Sequence, residues 1–314
     1  MKDTNILAID LAKNIFQVCK RDPKGKVLFN RELSRAKLKE MLVKQPRSLV
    51  AMEACGSAQY WARLARALGH EVKVISARTV KPFQTKQKTD RNDALAIAIA
   101  ASQEHIHGAR VQSAEEQALQ SLERARHLAK THQIAQSNQI RGLLGEFGII
   151  VPPSLSQLRK HIPFILEDAE NNLPQSFREA LNYLWQHLLQ QIEHVAILER
   201  QLEGAVKYDT TCQKLMKLEG VGPIGALGLA VRLGQGENFT NGREASANIG
   251  LTPKQHSSDG KERIGHISKR HADKRLRSTL FQGALSVITQ VSKRPARTSK
   301  KRWLQALVDT ASAF

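Results

Sequence analysis

Residues 4–33 read TNILAIDLAKNIFQVCKRDPKGKVLFNREL, and their reading decides the fold. The runs 4–10, 14–20 and 26–33 read as three short strands, and Asp22-Pro23-Lys24-Gly25 supplies a turn between the second and the third. Three strands joined this closely predict a β-meander. The first ends on an acid, Asp10, which is costly to bury at the end of an apolar strand without a partner.

Downstream, a helical stretch at 34–45 leads into the apolar run SLVAMEA at 48–54. A helix at 57–68 closed by Gly69, the strand EVKVIS at 71–76 and a helix entered through KTDRNDALAIA at 88–98 follow. An antiparallel meander continued by parallel crossovers is the order expected of a ribonuclease-H-like domain. A generic α/β sheet is the alternative, because the pattern alone does not fix strand order.

From residue 113 the character changes. SAEEQALQSLERARHLAKTHQIAQSNQIRGLLGEF is polar, helical and too long for an ordinary globular helix, and Val151-Pro152-Pro153 breaks it. A second long helix at 177–206 predicts an antiparallel arm or an oligomerising coiled coil, with an ordinary helical bundle as the alternative. After Asp209 a compact helical region begins. Its Gly220-Val221-Gly222-Pro223 core resembles a helix-hairpin-helix turn, in which Gly220 and Gly222 let backbone N–H groups approach a phosphate; a plain tight connection is the alternative. The expected class is α/β plus α, divided at 1–112, 113–209 and 210–314.

With 48 Lys and Arg against 29 Asp and Glu, the 314-residue chain carries a net charge of +19 spread from end to end, which points to a polyanion, nucleic acid above all. A solvated basic surface is the simpler reading of the same charge. Cys19, Cys55 and Cys212 fit no zinc spacing and read as reduced structural thiols. The N-terminus is too short and charged for a signal peptide, and no run of about eighteen apolar residues is present to span a membrane. A soluble, cytoplasmic protein with no membrane partner is expected.

Against this charge four acids stand out. Asp10 and Glu53 end the first and fourth predicted strands, which are neighbours in the proposed sheet, and Asp90 and Asp93 share a helix face because three residues is nearly one turn. Converging carboxylates repel and raise one another's pKa unless a cation neutralises them, and hard oxygen ligands suit Mg2+ or Mn2+. Two such ions can activate the attacking oxygen and stabilise the leaving oxygen of a phosphodiester displacement. Singly, Asp90 also suits a helix N-cap and Asp93 suits complementation of the helix dipole.

IDLAKNIFQV with Asp10, MEACGSAQYWA with Glu53, and KTDRNDALAIA with Asp90 and Asp93 resemble the DEDD signature of insertion-sequence transposases of the IS one-ten family. GVGPIGA and NIGLTPKQHSSDGKERIGHISKRHADKRLR resemble that family's C-terminal transposase domain, with features nearest its eleven-eleven branch. The resemblance implies a RuvC-like domain with metal-binding acids, a coiled-coil arm used in oligomerisation as dimers or tetramers, and a C-terminal domain supplying a nucleophilic serine. It implies a recombinase acting on donor and target DNA and guided by a structured bridge RNA. The serine holds the cut DNA end covalently and conserves bond energy for rejoining.

Mapped onto this chain, the nucleophile falls in HSSDGK. Alignment on the following glycine and lysine favours Ser258, with Ser257 second, and Asp259 stands where many relatives carry glycine. Plain turn chemistry is the other reading of an SSDG segment. His256 and His266 are near in sequence, yet neither is an evident base. The expected solution is a composite site in which ions on the four acids activate Ser258 from another domain or subunit. Lys261, Arg263, Lys269 and Arg270 neutralise DNA phosphates in this reading, or form a basic solvated face. Family members continue past the basic WLQ segment into another helix, whereas RWLQALVDTASAF stops in small residues, which implies a shortened C-terminal domain. A metal-dependent nuclease using water and a degenerate nucleic-acid-binding protein are the competing functions.

Overall fold

A computed structural model describes residues 4–85, 87–258, 260–267, 273–293 and 299–311. The chain groups into two compact units, Met1–Glu115 and Glu116–Phe314.

The first unit follows the expected order. Strands β1 (Ile6–Asp10), β2 (Ile15–Arg21) and β3 (Val27–Ser34) form the meander. Helix α1 (Arg35–Lys44), strand β4 (Leu49–Glu53), helix α2 (Ala58–Ala67), strand β5 (Glu71–Ile75), the single turn α3 (Ala77–Val80) and helix α4 (Asp90–Ser102) complete it. The sheet order is β3-β2-β1-β4-β5. β1 and β2 pair antiparallel, as do β2 and β3, while β1–β4 and β4–β5 are parallel. This is the ribonuclease-H-like arrangement, with the first and fourth strands adjacent.

Alternation along the strands sorts their side chains to two faces. Leu7, Ile9, Phe16, Val50 and Met52 pack against α1 and α2 through Leu38, Leu42 and Trp61. The fully buried Trp61 ring meets Phe16 edge-on at 5.1 Å between centroids. Ile6, Ala8, Cys19, Leu49 and Ala51 pack against α4, whose Ala94, Ile97, Ala98 and Ala101 are buried. An alanine-rich face lets this helix lie close on the sheet. Asp10 and Glu53 continue the α4-facing series, Ile6-Ala8-Asp10 and Leu49-Ala51-Glu53, so strand periodicity alone sends both acids to the helix side.

Both ends of α4 are secured. Thr89 caps the start, its hydroxyl accepting from the Asn92 N–H at 3.3 Å. At the far end the buried Lys73 ammonium donates to the carbonyls of Ala101 and Gln103, at 3.0 and 2.9 Å, satisfying acceptors that a helix terminus leaves open.

The second unit begins within the first turn of α5 (Ala114–Gly145), and α6 (Leu155–Glu167) and α7 (Gln175–Tyr208) follow. Arg126 Nε donates to Glu199 at 3.0 Å, and Gln136 Nε2 to the Leu184 carbonyl at 3.0 Å, so positions rising along α5 meet positions falling along α7: the pair is antiparallel. Ile140, Leu144, Leu158, Ile162, Leu181 and Leu188 form a core at one end, built in part by α6, which the sequence reading did not separate from the break at Pro152-Pro153. At the other end Leu202 and Val206 share a core with Cys212, Ala226, Leu227 and Val231, with Leu119 and Leu122 packed against it.

That core joins the long helices to α8 (Thr210–Leu215) and α9 (Pro223–Leu233), and α10 (Gly242–Ile249) follows. Strands β6 (Pro253–Ser258) and β7 (Lys261–Ile267) form an antiparallel hairpin, and α11 (Lys274–Lys293) and α12 (Ser299–Ala311) close the unit. Among the described residues no helix is long and apolar enough to cross a membrane.

Candidate active site

Three of the four acids meet. Single carboxylate oxygens of Asp10, Asp90 and Asp93 all lie within 4.8 Å of one another. Asp10 comes from the last position of β1, and Asp90 and Asp93 from the first turn of α4 on one helix face. Because Thr89 makes the cap, Asp90 is left to project toward Asp10 instead of folding back onto the helix. Gln84 Nε2 donates to Asp93 Oδ1 at 3.0 Å and fixes one of that carboxylate's oxygens.

The electrostatics record the crowding. Partial burial, then the negative charges of Asp93, Asp90 and Glu53, raise the Asp10 pKa from 3.8 to about 6, against a smaller opposing pull from Lys88. Glu53 ends β4, one position beyond the Ile9–Met52 pairing of β1 with β4. It stands outside the tight trio but feels it: burial and then the Asp93 charge raise its pKa, with Lys88 again opposing. A set of crowded oxygen donors that repel one another, with Asp10 and Asp93 half-buried and Asp90 exposed, suits a hard divalent cation, which removes the repulsion and satisfies the oxygens at once.

Ser258 ends β6 on the exposed hairpin of the second unit, paired with Lys261 across the strands. His256 pairs with Arg263, and Ser257 with Glu262. Cross-strand partners share a face and alternate residues share a face, so Ser258, His256, Lys261 and Arg263 stand together, while Ser257 shares the opposite face with Glu262 and Ile264. A serine among cations faces an environment that attracts phosphate. A serine beside a carboxylate does not. This hairpin departs from the helical reading of 210–314; its sequence signal is the Asp259-Gly260 dipeptide, and Gly260 has the positive φ of 72° that such a turn uses.

Gly220 and Gly222 lie in the turn between α8 and α9. Gly222 is exposed at the start of α9, ahead of Pro223 at the first helical position. Gly220 has φ of 81°, and its backbone lies against Gly283 of α11: a Cβ on Gly283 would come within 1.9 Å of the Gly220 carbonyl oxygen. The Gly220 turn is therefore shaped at least in part for backbone-to-backbone packing. Lys269, Arg270 and Asp259 lie outside the described residues.

Comparison with known proteins gives the family of the chain. A DEDD family model described as a transposase matches residues 7–149, and a model described as the transposase IS116/IS110/IS902 family matches residues 212–300. The chain is 39% identical over 308 residues to a protein of Pseudomonas aeruginosa named probable family 20 transposase, spanning 98% of this chain and 90% of that one. It is 36% identical over 310 residues to the transposase for insertion sequence element IS1111A of Coxiella burnetii, spanning 98% and 84%. A solved structure of T. thermophilus RuvC in complex with a Holliday junction substrate aligns with a TM-score of 0.26 and 14% identity, covering 31% of this chain and 91% of that one.

Proposed function

The chain belongs to the IS116/IS110/IS902 family of insertion-sequence transposases, enzymes that cut and rejoin DNA, and from that premise we propose that Ser258 is its nucleophile and that Asp10, Glu53, Asp90 and Asp93 hold divalent ions, Mg2+ or Mn2+. The observation that carries the proposal is the convergence of Asp10, Asp90 and Asp93 within 4.8 Å at the end of the first strand. When bound, the ions supply Lewis acidity to the phosphate oxygens and ease deprotonation of the attacking hydroxyl.

In this reading Ser258 Oγ attacks a DNA phosphorus. The Oγ–P bond forms, one P–O bond to deoxyribose breaks, and the departing oxygen takes up the equivalent of the proton the serine loses. A hydroxyl of the partner strand then attacks the phosphoserine ester and releases the serine, so one ester bond is exchanged for another with no outside energy source. Lys261 and Arg263, on the Ser258 face of the hairpin, neutralise the phosphate and its neighbours. Lys269 and Arg270 extend the same basic stretch in sequence, and the turn at Gly220 and Gly222 offers backbone N–H groups to the nucleic-acid backbone. Donor and target DNA are the substrates, a structured bridge RNA selects them by base pairing, and the antiparallel α5–α7 arm serves assembly into dimers or tetramers.

Metal dependence carries a pH signature. Asp10 must be ionised to serve as a ligand, so Mn2+ affinity, read by isothermal titration, is expected to hold above pH 6 and to weaken roughly tenfold for each pH unit below it. A flat profile between pH 5 and 7 contradicts Asp10 as a ligand. For guidance, protein expressed from its complete element and purified without nuclease is expected to carry one discrete structured RNA on sequencing. A spread of cellular RNA, retained through charge alone, contradicts an RNA guide.

A further inference from the structure

Beside the acid trio, an open cleft of about 580 Å³ runs between the β2–β3 edge and the first turn of α4, lined by Gln17, Asn30, Arg31, Asp90 and Arg91 among others. Two of these residues are joined to each other and to the helix. Gln17 Nε2 donates to Asn30 Oδ1 at 2.6 Å, and Asn30 Nδ2 donates to the Arg91 carbonyl at 2.8 Å. Gln17 is the cross-strand partner of Asp10, so the two side chains leave the sheet side by side on the α4 face. Asn30 pairs with Cys19, which packs in the α4-side core, and it therefore projects to the same face.

We propose that Gln17 and Asn30 are positioning residues for the carboxylate centre: a two-amide relay that sets the register of Asp90 and Asp93, flanking Arg91 on α4, against Asp10 on β1. The proposal rests on the reading of those acids as the metal site.

The direction of the relay follows from chemistry. A backbone carbonyl only accepts, so the end of Asn30 facing Arg91 is its NH2. Its oxygen must then face Gln17, whose own NH2 points toward it. Gln17 is buried and Asn30 half-buried, so both amides are held with little freedom. Thr89 caps the helix and Lys73 closes its far end, which fixes the helix as a body. Asn30, on the edge strand β3, ties the acid-bearing turn to the sheet across 61 residues of sequence, and Gln17, on β2 between β3 and β1, carries the link to the strand beside Asp10. A displacement of a few tenths of an ångström at Arg91 moves both helix carboxylates relative to Asp10, and a hard cation is sensitive to that spacing.

Asn30→Asp is the discriminating variant. It keeps the acceptor that Gln17 needs and loses the donor that Arg91 needs, and its added charge would by itself favour a cation. The measurement is the Mn2+ midpoint for thermal stabilisation of the full chain without nucleic acid, with the metal-free melting temperature as the control for folding. Asn30→Asp is expected to raise the Mn2+ midpoint about tenfold or more, the scale of other supporting contacts around metal ligands, with a metal-free melt within a few degrees of wild type. Gln17→Met, which removes the first amide, is expected to give a smaller shift in the same direction and decides the matter if Asn30→Asp does not fold. Gln45→Leu removes the acceptor for Lys20 on the same sheet and is expected to leave the midpoint unchanged. An unchanged midpoint in Asn30→Asp and Gln17→Met beside a responsive wild type overturns the relay and leaves the metal site standing. A wild type that does not respond to Mn2+ overturns the metal site, and the relay with it.

Discussion

Asp10→Asn is expected to abolish DNA strand cleavage while making the metal-free protein more stable at neutral pH. The loss follows from removing the strand-borne member of the acid trio. Deleting a single electrostatic stabiliser of a developing charge costs about 10²–10³ in rate, and in the proposed metal site the hold on the ion weakens along with the lost ligand. The gain in stability follows from linkage. The Asp10 pKa is about 6 in the fold against 3.8 outside it, so between those values the native state binds more protons than the unfolded one.

Stability from this group is therefore fully present below pH 4 and is lost as pH rises through 6. At pH 7 the ionised carboxylate costs about 3 kcal/mol by linkage, reduced to ~1–2 kcal/mol because the group is half exposed and screened. Chemical denaturation of Asp10→Asn and wild type in chelator is expected to differ by that amount at pH 7 and to converge near pH 4. A variant less stable than wild type at pH 7 means that Asp10 supports the fold and not a metal. Asp93→Asn should match the loss of cleavage.

Ser258→Ala is expected to remove strand cleavage by at least about 10⁴-fold, since deleting a nucleophile leaves only binding and electrostatics to act. Ser257→Ala, one residue away, is expected to retain most activity. The contrast comes from the hairpin's register, which groups Ser258 with Lys261 and Arg263 and sends Ser257 to the side of Glu262. Both variants sit on exposed strand positions and should melt with wild type, so folding does not confuse the comparison. Cleavage that persists in the double variant Ser257→Ala, Ser258→Ala assigns the attack to water.

Much of the first unit was legible because its signals are local. The three runs in residues 4–33 gave the meander, and the acids ending two apolar strands marked where those strands emerge. Period two then sends Asp10 and Glu53 to one face, while the helical period places Asp90 and Asp93 on another that meets it. The exact membership of the trio was not legible. Glu53 lies one strand further from α4's first turn, and only packing decides which oxygens fall within 4.8 Å. Nor was the division between Thr89 and Asp90, since either residue type caps a helix.

The hairpin at 253–267 escaped notice for a physical reason. Its described side chains are exposed on both faces, so no hydrophobic alternation announces a strand, and the basic residues around it read as a solvated helical region. Helix α6 was hidden by Pro163, which sits inside it. The amide relay was beyond any sequence signal, because Gln17, Asn30 and Arg91 are ordinary residues until the sheet and α4 bring them together.

A covalent protein–DNA species is what separates strand exchange by serine from simple hydrolysis. Labelled donor and target DNA, incubated with the protein, any RNA that copurifies with it and Mg2+, then denatured and digested with protease, is expected to yield a nucleotide-bearing peptide whose modified residue is Ser258 by mass spectrometry. The adduct should disappear in chelator. Cleaved DNA with free ends and no modified serine would contradict the serine–metal mechanism.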